Sequence, residues 1–178
     1  MAELTWRRSF LLAALVLSFA ALVSLARANS LAPLATLDGA DDIQVPAGHK
    51  VVFAAYAEGV QIYSWNGTKW DFAGPEAVLY DNEGEVVAIH YGGPTWESAS
   101  GSWVKGVVSK RCTPDPNAID WLLLDATASD GPGIFHRVSH IQRLDTVGGL
   151  PPTEPGMVVG EVARVAYAAE YVFYRKQR

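Results

Sequence analysis

Apolar and polar residues alternate along most of the chain after residue 45, and Gly, Pro, Asn and Asp interrupt the alternation at short intervals. A period of two places successive side chains on opposite faces of a strand. Turn residues spaced about 8–12 positions apart indicate many short strands. The pattern therefore predicts one all-β domain, an antiparallel β-barrel or β-sandwich of about nine or ten strands. Residues 134–144 fit either a helix or a strand, and the Gly and Pro on both sides favour the strand.

Turn sequences predict two hairpins and an early strand end. Asn66-Gly67, between two β-prone runs, predicts a two-residue turn that pairs Tyr63 with Trp70. Residues 81–84 predict a second hairpin, and Glu58-Gly59 is interpreted as the end of the first strand. In the first hairpin the alternation places four aromatic side chains on one face: Tyr63, Trp65, Trp70 and Phe72.

The first 28 residues have the composition of a signal peptide. Arg7 and Arg8 precede a mostly apolar run over residues 10–25, and Ala26-Arg27-Ala28 is a small-residue cleavage sequence. We therefore expect an exported protein, periplasmic or extracellular. The paired arginines fit both the general secretory route and the twin-arginine route. Because the apolar run is shorter than the ~20 residues of a membrane-spanning helix, no stable span is expected after signal removal.

Removal of this segment leaves residues 29–44 as a loose lead-in and residues 45–178 as the all-β domain. The whole chain has a formal net charge of −5, and without the three arginines and one glutamate of residues 1–28 the charge is −7. An acidic chain without a basic stripe disfavours nucleic acid as a partner. Cys112 is the single cysteine, so no disulfide can form within one chain.

Two titratable residues flank the Gly92-Gly93-Pro94 turn. His90 precedes it and Glu97 follows it, and a His–Glu pair can act as general acid and base. These two residues are the catalytic candidates of an enzyme hypothesis.

Two histidines are the candidate metal ligands. His136 and His140 have the spacing of a zinc pair on a helix, but Arg137 stands where the metalloprotease motif has Glu. On a strand the two imidazoles would lie roughly 13 Å apart, too far to share an ion. No metal site is therefore predicted. No phosphate-binding loop or dinucleotide motif is present, and no cofactor is expected.

Aromatic residues are numerous, with six Trp and seven Tyr in the chain. Aromatic faces with a few polar groups suit a small molecule or a saccharide. Binding of such a ligand is the leading functional hypothesis. Alternatives are an enzyme and a structural component of an envelope or matrix. The candidate ligand-binding residues are Tyr63, Trp70, Tyr91, Trp96, Trp103 and Gln142.

Several short motifs follow one another through residues 45–175. They include Gly59-Val60-Gln61-Ile62-Tyr63, His90-Tyr91-x-Gly93-Pro94-Thr95-Trp96-Glu97, Trp121-Leu122-Leu123-Leu124 and Ile141-Gln142-Arg143-Leu144. In these motifs the chain resembles a family of exported bacterial and fungal proteins, domain of unknown function 3455. The resemblance implies an exported, mostly β domain in which the Ile141 motif is a strand. It implies no established activity.

Overall fold

A computed structural model describes residues 41–178, which form one short 3-10 helix and eight β-strands. The predicted signal peptide and most of the predicted lead-in lie outside the described residues. The 3-10 helix spans Asp41–Ile43. The strands are β1 (His49–Trp65), β2 (Trp70–Tyr80), β3 (Val86–Tyr91), β4 (Thr95–Ser98), β5 (Trp103–Cys112), β6 (Trp121–Asp130), β7 (His140–Gly148) and β8 (Val162–Lys176).

Each strand pairs antiparallel with the next one in sequence, and β8 pairs with β1 to close a barrel. The all-β prediction is confirmed, and of its two architectures the barrel is the one observed. The strand number, eight, is slightly lower than predicted because β1 and β8 are long and unbroken. Within residues 41–178 no helix is long and apolar enough to cross a bilayer.

The predicted strand end at Glu58-Gly59 is wrong, since β1 continues through it for 17 residues. Gly59 does not form a turn; it allows the β1 backbone to pack closely against β2. A Cβ atom at this position would lie 2.1 Å from the Glu76 carbonyl oxygen and 2.5 Å from the Ala77 Cα atom on β2. A glycine within a strand commonly marks such a close approach of two backbones.

The first hairpin has a different register from the predicted one. Trp65 pairs with Trp70 and Tyr63 with Phe72, so the turn contains four residues, 66–69. The Asn66 Oδ1 atom accepts hydrogen bonds from the amides of Thr68 and Lys69, both at 2.9 Å. A type I′ turn would need positive φ at both central residues, but Gly67 (φ 97°) has it and Asn66 does not. The predicted common face of the four aromatic residues is confirmed.

The barrel has two unlike ends. The loops β2–β3, β4–β5 and β6–β7 lie at one, which we call the closed end. There the buried Phe135 ring packs 4.9 Å from the ring of Phe173 and 6.4 Å from that of Phe53. Val138 is also buried in this core. Residues 134–139, predicted as strand, are therefore a turn that plugs the barrel, and β7 begins at His140.

Candidate functional site

The other end of the barrel, which we call the open end, contains a cavity of about 390 Å³. The loops β1–β2, β3–β4, β5–β6 and β7–β8 surround it, and its rim includes the exposed residues Phe72 and Leu150. Eight-stranded barrels are just wide enough to be filled by side chains or to hold one small ligand. The aromatic, polar and leucine side chains of the cavity wall include Gln61, Tyr63, Phe72, His90, Trp96, Arg111, Asp120, Leu122, Leu124, Arg143 and Tyr171.

A stacked pair of rings forms one wall of the cavity. His90 on β3 is directly opposite Trp96 on β4, because the Gly92-Gly93-Pro94 turn joins the two strands. The ring centroids are 4.3 Å apart and the planes differ by 6°. The His90 and Tyr171 rings also pack in a T-shaped arrangement, with centroids 5.2 Å apart. Both His90 and Trp96 are almost completely buried.

His90 is neutral in the folded protein. Burial lowers the pKa of its imidazole to about 3, the hydrogen bond with the Thr95 carbonyl oxygen opposes this shift, and the charge of Arg143 adds to it. The Nδ1 atom lies 2.8 Å from that carbonyl oxygen. Since a carbonyl accepts, Nδ1 carries the proton and Nε2 is left as an acceptor.

Two buried donors, on side chains that line the cavity, lack a hydrogen-bond partner. They are the indole Nε1 of Trp96 and the amide Nε2 of Gln61, on side chains that are 1% and 2% exposed. Among residues 41–178 no other buried side-chain nitrogen or oxygen lacks a partner. An unpaired buried polar group costs about 1–3 kcal/mol, so most are satisfied in native proteins. Both exceptions line the same cavity.

A positive charge also faces the cavity. The Nε and Nη2 atoms of Arg143 on β7 donate to the Asp120 carbonyl oxygen at 3.1 and 2.8 Å. Burial raises the pKa of the Tyr63 and Tyr171 hydroxyls, and the charge of Arg143 partly opposes this rise. The guanidinium therefore lies close to interior groups. None of the salt bridges among residues 41–178 includes Arg143.

The structure does not bring the two catalytic candidates together. Glu97 pairs with Ile89, one position from the His90–Trp96 pair. Adjacent residues on a strand point to opposite faces, so His90 faces the interior and Glu97 faces outward. The Glu97 Oε2 atom accepts a hydrogen bond from the Tyr91 hydroxyl at 2.9 Å on that outer face.

Two of the six candidate ligand-binding residues, Tyr63 and Trp96, line the cavity. Trp70 packs on Trp65, with centroids 5.5 Å apart, and its Nε1 donates to the Glu154 carbonyl oxygen in the β7–β8 loop. The other three are outside the barrel wall. These are Tyr91, Trp103 and Gln142, whose neighbours His90, Val104 and Ile141 belong to the inner face.

Gln142 has a structural role on the outer face. Its Nε2 donates to the Ile43 carbonyl oxygen at 2.8 Å, and its Oε1 accepts from the Tyr174 hydroxyl at 2.6 Å. These bonds hold the 3-10 helix against the barrel, and Ile43 is fully buried there.

The two candidate metal ligands have different environments. His136 is exposed in the plug turn, whereas His140 Nε2 lies 3.5 Å from Asp125 and the His140 ring packs 4.5 Å from that of His49. In the described part of the chain, no group of three or more His, Cys, Asp or Glu residues is placed to hold a metal ion.

Sequence reasoning missed Gln61 and Arg143. A signal for each was present, because a polar residue two positions from a core residue of the same strand falls on the inner face. Gln61 is two positions from Tyr63, and Arg143 is two from Ile141.

The comparisons with known proteins give a family but no activity. The family model described as "Protein of unknown function (DUF3455)" matches residues 46–175, from just before β1 to the penultimate residue of β8. No curated protein matches the chain, and no solved structure matches it.

Proposed function

The chain belongs to the family of proteins of unknown function DUF3455, and we propose that it is an exported protein that binds a small organic molecule in the open end of its barrel. The observation that carries this proposal is a pair of unpartnered donors, Trp96 Nε1 and Gln61 Nε2, on two side chains that line one cavity. A ligand with hydrogen-bond acceptors would satisfy both once the two side chains turn toward it, because neither atom is solvent-accessible in the free protein. The two unpaired donors destabilise the free protein, and a bound ligand would remove this destabilisation.

The size and lining of the cavity support a compact ligand with an apolar body. A volume of about 390 Å³ lies within the range of roughly 300–1,000 Å³ that is usual for small-molecule sites. Tyr63, Phe72, Leu122, Leu124 and Tyr171 give the wall extensive apolar and aromatic surface. A saccharide would need many more polar partners, so a small molecule with few polar groups is the better match.

The geometry of the cavity gives less support to the alternatives of an enzyme or a structural component. His90 faces the cavity without a carboxylate partner beside its ring, because Glu97 is on the outer face. A neutral imidazole with a pKa of about 3 is also poorly matched to proton transfer near pH 7. Binding requires no such partner.

NMR of the indole N–H groups tests the proposal directly. Residues 41–178 contain five Trp, and Trp96 is the one whose unpartnered Nε1 lies in the cavity wall. Addition of 3-phenylpropanol, a small neutral acceptor with an aromatic body, should shift the Trp96 resonance and leave that of Trp103 unchanged. Trp103 is the internal control because it belongs to the outer face.

Two substitutions test whether the ligand binds inside the barrel. Replacing Gln61 with Met should weaken binding several-fold by removing a donor, whereas Gln142→Met, on the outer face, should not change affinity in the folded variant. The proposal fails if the alcohol shifts the Trp103 resonance instead of the Trp96 resonance, or if neither the alcohol nor its analogues with other head groups or an alkyl body shift the Trp96 resonance up to their solubility.

A further inference from the structure

We propose that the ligand carries a single carboxylate at one end of an apolar body, and that Arg143 binds this carboxylate inside the barrel. This inference rests on the proposed function and adds the chemical class of the ligand. It follows from two features of the cavity: a cation without a carboxylate partner, and an apolar remainder.

The cation is Arg143. Two of the five N–H donors of a guanidinium are used by the Asp120 carbonyl oxygen, which is polar but uncharged. The Tyr171 hydroxyl interacts with a further one, which leaves two guanidinium donors without a protein partner. Buried charges are usually paired, and Arg143 is half-buried without a carboxylate partner. The planar guanidinium can bind a carboxylate with two parallel hydrogen bonds.

The charged residues at the rim do not supply the missing anion. The Asp120 Oδ2 atom accepts a hydrogen bond from Arg111 at 3.3 Å, and its Oδ1 accepts one from the Thr113 hydroxyl at 2.8 Å. Asp120 is therefore neutralised by Arg111. The three charged side chains in the cavity lining, Arg111, Asp120 and Arg143, leave one net positive charge.

The uncharged polar groups add no second cation and include two unpaired donors. Trp96 Nε1 and Gln61 Nε2 are donors without acceptors, and an ionised carboxylate is a pure acceptor. His90 adds no positive charge, because its imidazole is neutral. The His90 Nε2 atom could accept from an amine, but an ammonium group would meet the Arg143 cation, so the cavity discriminates against it by charge.

The remaining surface accommodates an apolar body. Tyr63 and Phe72 pack edge to face with centroids 5.7 Å apart on one side of the cavity. Leu122, Leu124 and Tyr171 line it as well. A short aryl-alkyl or alkyl chain would contact these side chains while its carboxylate reaches Arg143.

The first experiment uses the unaltered protein and matched probes that differ in the head group. We would measure the affinities of 3-phenylpropanoate, 3-phenylpropanol and 3-phenylpropylamine at pH 7 by the Trp96 indole resonance, and repeat the series with octanoate, octanol and octylamine. In at least one series the carboxylate should bind at least tenfold more tightly than the alcohol, and the amine should bind most weakly. Because the experiment uses no variant, a folding defect cannot account for differences between the ligands.

The second experiment assigns the preference to Arg143. Arg143→Gln should reduce carboxylate affinity at least tenfold and leave alcohol affinity within about twofold, because the uncharged contacts remain. Arg164→Gln is the matched control, since this exposed arginine is paired with Glu76 and does not line the cavity; its carboxylate affinity should change less than threefold. Circular dichroism would establish that both variants are folded.

The outcomes separate the two proposals. If the alcohols bind as tightly as the carboxylates, or the Arg143→Gln variant keeps the carboxylate preference, the inference about the ligand class is overturned while binding in the barrel stands. If none of the six probes shifts the Trp96 resonance, both proposals fall together.

Discussion

The Trp96 indole lies parallel to the His90 imidazole, with ring centroids 4.3 Å apart and 6° between the planes. The contact joins β3 to β4 across their shared turn and places an aromatic donor and a neutral histidine side by side in the cavity wall. Because the imidazole is buried, protonation of His90 is unfavourable in the folded protein, even though its Nδ1–H donates to the Thr95 carbonyl oxygen.

Stability should therefore fall as the solution is acidified below pH 6.5. The folded-state pKa of His90 is about 3, below its ordinary value of 6.5, so between these values the unfolded chain binds a proton that the folded chain does not. The free energy of unfolding should decrease by up to about 1.4 kcal/mol per pH unit in this window. Urea denaturation between pH 7.5 and 5 would measure the slope.

His90→Phe is the diagnostic variant, because it keeps an aromatic ring against Trp96 and cannot titrate. It should be less stable than wild type at pH 7.5, since the Thr95 carbonyl loses its partner, but its slope between pH 6.5 and 5 should be shallower. His136→Gln, in the exposed plug turn, is the control and should keep the wild-type slope. An unchanged slope in His90→Phe would contradict the prediction.

Two buried glutamines should respond in opposite ways to replacement by Met. In the ligand-free protein Gln61→Met removes an unpaired donor and should increase the free energy of unfolding by about 1 kcal/mol. Gln142→Met leaves the Ile43 carbonyl and the Tyr174 hydroxyl without partners and should lower it by about 2–4 kcal/mol. Chemical denaturation at pH 7.5 measures both. Equal destabilisation by the two substitutions would show that the Gln61 amide is satisfied.

Gly59→Ala should be strongly destabilising. The added methyl group would lie 2.5 Å from the Ala77 Cα atom, and neither backbone can move without disturbing the β1–β2 ladder. We expect a loss of about 3 kcal/mol or more, comparable with severe overpacking. Gly92→Ala, where an added Cβ meets nothing within 4 Å, should change stability by less than about 0.5 kcal/mol. Thermal melts of the two variants make the comparison.

The β7–β8 loop should become more sensitive to proteolysis when its contact with Trp70 is removed. Trp70 Nε1 donates to the Glu154 carbonyl oxygen at 2.9 Å, and Met157 and Val158 are highly exposed nearby in the sequence. Trp70→Phe keeps an aromatic ring against Trp65 but loses this bond, which is worth about 1 kcal/mol. Thermolysin should then cleave within residues 149–161 several-fold faster. Trp103→Phe should leave the rate unchanged.

The barrel could be predicted because period-two alternation and turn residues are local features of the sequence. The strand number could not, since the sequence of β1 does not show that Gly59 packs against Ala77 on another strand. The plug turn was predicted as a strand for the same kind of reason: Phe135 and Val138 are apolar in either conformation, and their contacts with β1 and β8 decide between them.

The site can be predicted in part. Aromatic character identifies Tyr63 and Trp96. The sequence also suggests Gln142, but the residue that lines the cavity is its neighbour Arg143. Adjacent strand residues occupy opposite faces, so the choice required knowing which face closes inward. The same reason explains why His90 and Glu97 do not form the expected catalytic pair. The β3–β4 register places Glu97 opposite Ile89, and therefore on the other face from His90.

The C-terminus of the chain lies at the closed end, which makes it a suitable point for attaching the protein to a surface. Lys176, the last residue of β8, pairs with His49 at that end, so a linker added after Arg178 would leave the barrel on the side away from the cavity. The protein could be immobilised through its C-terminus with the entrance facing the solution. In that orientation Trp96 would serve as a built-in optical reporter, and the barrel as the recognition element of a sensor.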